Sequence, residues 1–190
     1  MSRCVRGVLF ADYVRVLRAN KGFDYSGYLD ASDVQYLNSR IDEHGWYPME
    51  SFERLGLAIL GEIIRGDLEM TKVWGHTTVE LLSARYPELV EHSDPTETIR
   101  RFKVLQNSFF NFYPLQIREQ LETEVRVQIG FGMGERAEEA ASVQAQGFFE
   151  RLATVTGGRD VRSRFISRSW EREPETLLHV RWLGRAETTK

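Results

Sequence analysis

The spacing of the apolar residues changes about two-thirds of the way along the chain, and this change restricts the fold more than any other feature. Before it, apolar residues recur every three or four positions, as Phe10, Val14 and Leu17 do, which predicts helices. From Val125 to Phe131 they alternate with polar residues and glycines, which predicts a strand with one buried face.

We therefore predict an N-terminal helical bundle packed on a small, mostly antiparallel sheet, which is an α+β architecture. The predicted helices cover 8–19, a short stretch capped by Ser32 or Asp33, 48–66, 70–85 and 94–114. A strand follows at 125–131, then a helix over 135–154 and strands over 160–170 and 176–183. We expect one domain over 1–190, with a helical part at about 1–118 and a sheet part at about 119–185.

The composition is that of an ordinary globular protein, and it excludes several kinds of site and partner. The net charge is −3, so the chain has no general attraction to nucleic acid or anionic lipid, and nucleic acid is not an expected partner. Cys4 is the single cysteine, which excludes an internal disulfide and a cysteine-based metal cluster. The apolar runs fall short of the ~20 residues of a membrane span, and the first residues lack a secretory signal pattern. We expect a cytoplasmic protein without a membrane span.

The sequence contains no recognisable catalytic or nucleotide-binding motif. The glycines of Gly130-Phe131-Gly132-Met133-Gly134 lie between a predicted strand and a predicted helix. Glu135 follows where a dinucleotide-binding fingerprint needs glycine, and its charge would repel a pyrophosphate. We interpret this segment as a tight turn, and the adjacent acids Glu138 and Glu139 as solvated. We expect no enzymatic activity.

The four histidines form no local metal pair, because none lies three or four residues from another. His76 is the best single candidate for an axial ligand or a proton switch. The alternative is an ordinary surface or core histidine. We predict no metal site unless His76 serves as an axial ligand.

Arginines recur at alternate positions along the predicted strand at 160–170 and just after it. The members with one parity are Arg162, Arg164, Arg168 and Arg172, and Arg181 and His179 lie on the predicted facing strand. If the two strands pair, they form a basic face that can bind phosphates or acidic side chains. The alternative is the solvated outer face of a sheet with one buried side.

Several short motifs occur in the order found in one known family. They are Gly7-Val8-Leu9 in the first helix, Tyr47-Pro48 followed by Phe52, Trp74-Gly75, Tyr113-Pro114, Gly147-Phe148-Phe149 and Val161. On these motifs, spread over nearly the whole chain, the sequence resembles the heme-nitric-oxide/oxygen-binding (H-NOX) domains. The resemblance extends to the wider superfamily, with its vinyl-reductase-like sensor domains and myxobacterial paralogous families. It implies an H-NOX-like fold and a sensory function.

The residues that hold heme in the resembled family are replaced here. Matched on Tyr113-Pro114, the histidine that ligates the iron corresponds to Gln106, and an amide is a poor iron ligand. The family's Tyr-x-Ser-x-Arg motif, which holds the heme propionates, corresponds to Phe131, Met133 and Glu135. These residues supply neither a hydroxyl group nor a guanidinium. The resemblance therefore implies a degenerate member, and we expect no heme and no other cofactor.

Together these observations predict a non-catalytic sensor or adaptor that acts through contacts with a protein partner or with a second copy of the chain. The resemblance implies an interior space, which is either filled by side chains or open to a small apolar ligand. The residues expected around it are Trp74, Gln106, Phe109, Phe110, Phe131 and Met133. Two alternatives stay open: a heme-based gas sensor that uses His76, and a protein that binds anionic partners through the arginine-rich strand.

Overall fold

The computed structural model describes residues 2–90 and 93–184. Contacts between residues divide the chain into two compact units, one formed by residues up to 67 together with 106–113, and the other by 68–105 and the residues from 114 onward. This division differs from the predicted one near residue 118, because two of the predicted bundle helices belong to the unit that contains the large sheet. The single-domain organisation stays a prediction.

The first unit is mostly helical. Its elements are β1 (Cys4–Arg6), α1 (Gly7–Ala19), α2 (Ala31–Asn38), β2 (Trp46–Pro48) and α3 (Met49–Ala58), which continues as a π-helical turn over Ile59–Ile63. The short strands β1 and β2 pair in antiparallel fashion. The strand β1 also binds the segment 106–113, since the Arg6 amide donates to the Phe109 carbonyl at 2.7 Å. These pairings join the two sequence-separated parts of the unit.

Aromatic side chains form much of the core of the first unit. Phe10 stacks on Tyr47 with ring centroids 4.4 Å apart, and Tyr13 lies 4.1 Å from Phe52. The helical spacing of the apolar residues in α1 places Phe10 and Tyr13 on its buried side. These aromatic side chains therefore act as packing residues in this unit.

The helix α2 is capped by a residue other than the predicted ones. The Asp30 side chain accepts the amides of Ser32 and Asp33, and the Asp33 carboxylate accepts the Asp30 amide in return. Asp33 is fully buried and also bonds the guanidinium of Arg54 on α3, and this hydrogen bond raises the pKa of Arg54. The prediction of a cap at Ser32 or Asp33 was wrong by two or three residues, because the sequence offers three capping residues close together.

The second unit contains the large sheet and three helices. Its elements are α4 (Leu68–Arg85), α5 (Pro95–Leu105), β3 (Leu115–Gln120), β4 (Glu124–Ile129), α6 (Glu135–Val155), β5 (Arg159–Ser167) and β6 (Thr176–Leu183). The four strands are ordered β3-β4-β6-β5, and all neighbours are antiparallel. The predicted α+β class is confirmed. None of the helices in the described ranges has both the length and the apolar character required to cross a membrane.

The inner face of the sheet is apolar and packs against α6. The strand β6 alternates between buried Leu178, Val180 and Trp182 and residues that face outward. The helix α4 then packs on α6 at a close crossing. A Cβ atom on Gly147 would lie 2.0 Å from the Lys72 carbonyl oxygen, and one on Gly75 would lie 2.0 Å from the carbonyl oxygen of Gln144. Glycine is required at both positions because the helix backbones themselves are in contact.

One strand was missed, and the predicted ends of one helix and one strand were wrong. The strand β3 was not predicted, because only Leu115 is buried in it and its pattern of exposure lacks a clear alternation. The helix α5 ends at Leu105 rather than near Pro114, and a single 3₁₀ turn follows over Gln106–Ser108. The strand predicted over 160–170 ends at Ser167, and a short 3₁₀ turn begins two residues later.

Candidate functional site

The six side chains predicted to surround a ligand are divided between the two units. Gln106, Phe109 and Phe110 belong to the first unit and are all buried. Trp74, Phe131 and Met133 belong to the second; Phe131 is buried, and the other two are partly exposed. An apolar ligand pocket formed by these residues stays a prediction.

Gln106 occupies the first position of the turn that follows α5. The residue is 3% exposed, and its backbone carbonyl oxygen accepts the amides of Phe109 at 2.9 Å and Phe110 at 3.0 Å. The turn is fixed further by an isolated β-bridge between Phe110 and Val5 of β1. The residue that corresponds to the iron-ligating histidine is therefore a buried glutamine at the start of a tightly hydrogen-bonded turn.

The loop that connects β4 to α6 is held by a buried acid. The Glu138 carboxylate accepts the Phe131 amide at 2.8 Å through Oε1 and the Met133 amide at 2.9 Å through Oε2. Glu138 is 6% exposed and lies in the first turns of α6. Gly132, between the two donors, has φ of 66°, a conformation that glycine adopts without strain. The loop thus wraps around the carboxylate of its own helix.

The interpretation of Glu138 as a solvated surface acid was wrong. Burial of a carboxylate is unfavourable unless it is hydrogen-bonded, and here both oxygens bind backbone donors. The signal that could have revealed it is local. An acid in the first turns of a helix stands close to the backbone amides of a preceding glycine-rich loop, where anions are favoured.

His76 lies in a polar cluster between α4, α6 and β5. Its Nε2 atom is 3.7 Å from Oε2 of Glu150, whose other oxygen accepts Lys72 at 2.9 Å and the Ser163 hydroxyl at 2.5 Å. Gln146 in turn donates to the Ser163 hydroxyl at 2.6 Å. The imidazole of His76 therefore faces a carboxylate of α6 within the second unit, and its environment is that of a structural polar network.

The outer face of the sheet carries the basic residues on β5 and β6. The register pairs Arg162 with Arg181 and Arg164 with His179, and we call these four residues the basic face. They line an open depression of about 250 Å³, together with Ser163. The imidazole of His179 also has an acidic neighbour, since its Nε2 atom lies 3.1 Å from a carboxylate oxygen on β4.

Two of the predicted arginines lie outside the basic face. Arg168 follows the end of β5 and pairs with Glu171 at 3.2 Å. Arg172 adopts a left-handed backbone conformation with φ of 68° in the turn before β6. The prediction that they share one strand face with Arg162 and Arg164 was wrong, because the strand ends at Ser167 and the alternation of side chains ends with it.

The architecture is similar to that of several solved H-NOX structures. An unliganded Fe(II) H-NOX protein from K. algicida has a TM-score of 0.63 and 11% identity, over 97% of this chain and 100% of that chain. A triple mutant of the S. oneidensis H-NOX protein in the Fe(II) state has a TM-score of 0.65 and 10% identity, over 97% and 100%. A point mutant of T. tengcongensis H-NOX has a TM-score of 0.63 and 9% identity, over 95% and 99%.

The chain has an H-NOX-like fold. The resemblance inferred from the motifs is thereby confirmed at the level of the fold. No protein-family model matches the sequence, and no curated protein matches it. Identities of 9–11% establish the H-NOX-like architecture alone, so the function has to be argued from the residues of this chain.

Other structures with the H-NOX fold were solved to study their heme, which raises the question whether this chain fits that group. The two amides of the loop at 131–133 already bind Glu138, and a propionate placed there would meet this buried negative charge. Gln106 offers an amide where the family has imidazole. The residues at these positions do not fit a heme.

Proposed function

We propose that this chain is a non-catalytic regulatory module that works without heme and acts through contacts with a partner protein. The observation that carries the proposal is the Glu138 carboxylate, which binds the amides of Phe131 and Met133. By resemblance, this loop corresponds to the motif that binds the heme propionates. Its two amides are instead hydrogen-bonded to an acid of the chain itself. An internal anion at this place disfavours a second, external one.

The chemistry of the remaining polar groups supports a regulatory rather than an enzymatic function. His76 and His179 each face a carboxylate, but they do so on separate elements, α4 and β6. The Ser163 hydroxyl donates to Glu150 instead of to an imidazole, so this cluster lacks the order of partners that activates a nucleophile. The cluster at Glu150 links α6 to α4 and β5, and the pair of His179 with Glu124 links β6 to β4.

The residues predicted to line the interior space are suited to bind a small apolar ligand, which would then be the signal. Phe109 and Phe110 of the first unit are buried aromatic residues, and aromatic side chains are common in the lining of pockets for apolar molecules. Gln106 would add one polar group that orients such a ligand. This part of the proposal concerns the signal, and the heme-free module with a protein partner does not depend on it.

The alternative of a heme sensor that uses His76 is less well supported. An axial imidazole must direct a nitrogen at the iron, whereas Nε2 of His76 lies 3.7 Å from Glu150. The Lys72 ammonium, at 2.9 Å from the same carboxylate, adds a positive charge beside it. Nε2 of His76 makes no hydrogen bond within the part of the chain that the structure describes, but a heme bound there would lie beside the Glu150 carboxylate and the Lys72 ammonium.

The test is to purify the protein from cells supplied with a heme precursor, with the S. oneidensis H-NOX protein expressed in parallel. We expect no Soret band and no iron in this chain, while the control protein is red. Native mass spectrometry then shows whether an apolar molecule has co-purified. A red protein with one iron per chain would contradict the proposal.

One substitution tests separately the two features that are unfavourable for heme, namely the glutamine at position 106 and the Glu138 carboxylate in the loop. Gln106→His restores the imidazole but leaves Glu138 in the loop, and we expect this variant to stay colourless. If it takes up heme in the same preparation, the loop does not exclude the group, and the argument from Glu138 fails.

A further inference from the structure

The basic face places positive charges directly opposite one another. Arg162 and Arg181 are cross-strand partners, and so are Arg164 and His179. Side chains at opposed positions on one sheet face lie about 5 Å apart at their Cβ atoms, and like charges there destabilise the pairing. The three arginines are exposed, so their placement is not required by the core.

Acidic groups of the chain balance this charge in part. Arg162 pairs with Asp160 at 3.1 Å, and His179 pairs with Glu124 at 3.1 Å. Arg164 and Arg181 make no ion pair with any residue in the described ranges. Two guanidiniums, each able to bind a carboxylate through two parallel hydrogen bonds, are therefore available to a partner.

Apolar residues lie at both ends of the basic face. Ile166 on β5 is 46% exposed, and Leu183 on β6 is 55% exposed. By register, Leu183 lies opposite Arg159 at one end of the strand pair, and Ile166 lies in the irregular pairing between Phe165 and Ser167 at the other. Exposed apolar side chains therefore lie beyond both ends of the basic face.

This combination fits a protein rather than a small anion or a nucleic acid. Arginine is enriched at protein interfaces, and the buried centre of an interface is more apolar than other surface. Sites for small molecules are enclosed, whereas this depression of about 250 Å³ is open. The net charge of −3 gives no long-range attraction for a polyanion.

We propose that the outer face of β5 and β6 binds an acidic segment of the partner protein. Carboxylates of this segment pair with Arg164 and Arg181, and its apolar side chains contact Ile166 and Leu183. The inference rests on the proposed function, because it names the surface through which that module meets its partner.

The test uses a labelled peptide, Leu-Ser-Glu-Ser-Glu-Ser-Leu, which in extended form presents both glutamates and both leucines on one side. Its neutral counterpart has glutamine in place of each glutamate. Fluorescence anisotropy should show binding of the acidic peptide that weakens as salt is added, and weaker binding of the neutral one by about 10-fold. Equal binding of the two peptides would overturn the proposal.

Variants of the full-length chain assign the binding to this surface. Arg164→Gln and Arg181→Gln should each weaken binding of the acidic peptide about 3-fold, and the double variant about 10-fold. Arg136→Gln, at an exposed position near the start of α6, is the matched control and should bind as the unsubstituted chain does. Undiminished binding by the double variant would refute the assignment.

Three further outcomes would also overturn the inference. They are preferential binding of inorganic phosphate, preferential binding of a short oligonucleotide, and a chain dimer in sedimentation that the double variant abolishes. Failure of the proposed function is recognised separately, by iron in the purified protein. If the protein contains heme and still binds the acidic peptide preferentially, the proposed binding surface stands and the proposed heme-free function is wrong.

Discussion

The two faces of the four-stranded sheet differ in composition and burial: one is apolar and buried, and the other is charged and exposed. On the inner face, Val180 and Trp182 are buried, and stability depends on how closely they pack. On the outer face of the same strand, Arg181 is exposed and lies between two charged partners, Arg162 on β5 and Glu124 on β4. Two adjacent residues of β6 therefore differ in function. Trp182 on the inner face stabilises the fold, and Arg181 lies on the outer face that we propose as a binding surface.

Of the substitutions considered, Trp182→Ala on the inner face is expected to lower the free energy of unfolding most. Trp182 is 4% exposed, so its removal leaves a large cavity beneath the sheet. We expect a loss of about 3–5 kcal/mol in the free energy of unfolding, measured by urea denaturation. A loss below about 1 kcal/mol would show that the inner face is not the tightly packed one.

Gly147→Ala tests the helix crossing behind the inner face. The new Cβ atom would lie 2.0 Å from the Lys72 carbonyl oxygen, so α4 and α6 must separate. We expect a loss of about 2–3 kcal/mol in the same denaturation experiment. Gly130→Ala is the control, because no atom lies within 4 Å of its added Cβ, and a similar loss in that variant would contradict the explanation.

Glu138→Gln tests the connection between β4 and α6. The amide keeps the size of the side chain but presents an NH₂ group to one of the two backbone donors of Phe131 and Met133. We expect a loss of about 1–2 kcal/mol and faster hydrogen exchange at those two amides. Glu139→Gln, one residue along α6, should change neither quantity. Unchanged exchange in Glu138→Gln would show that the loop does not depend on the carboxylate.

Arg181→Gln is expected to have the smallest effect on stability. It removes one of two opposed positive charges without changing the core, so the free energy of unfolding should stay within about 0.5 kcal/mol or rise slightly. Differential scanning calorimetry of this variant beside Trp182→Ala compares the two faces at adjacent positions. A loss of about 2 kcal/mol or more would mean that Arg181 stabilises the fold, and the contrast between the faces would disappear.

Much of the fold could be predicted because burial imposes a regular pattern. The strand β6 has the predicted bounds, since its alternation of apolar and polar residues is nearly strict. The start of α5 at Pro95 follows the capping sequence that begins at Asp94. The end of α5 was missed because Phe109 and Phe110 continue the helical spacing. What ends the helix is a pairing of Phe110 with Val5, which is far away in sequence.

The candidate sites were predicted less completely. The alternation of arginines identified Arg162 and Arg164 as neighbours on one face but could not show that β5 ends before Arg168. The buried state of Glu138 depends on how the loop folds back on α6, and the sequence indicates it only through the glycine-rich segment that precedes this acid. The match of Gln106 to the iron-ligating histidine rests on the resemblance and stays a prediction.

The most direct test of the central claim is a titration of the purified chain with hemin, followed by absorbance, beside the S. oneidensis H-NOX protein. The account predicts no saturable Soret band for this chain and a one-to-one complex for the control. A one-to-one complex of this chain with hemin that survives gel filtration would contradict the heme-free module, and its loss in His76→Ala would identify His76 as the ligand.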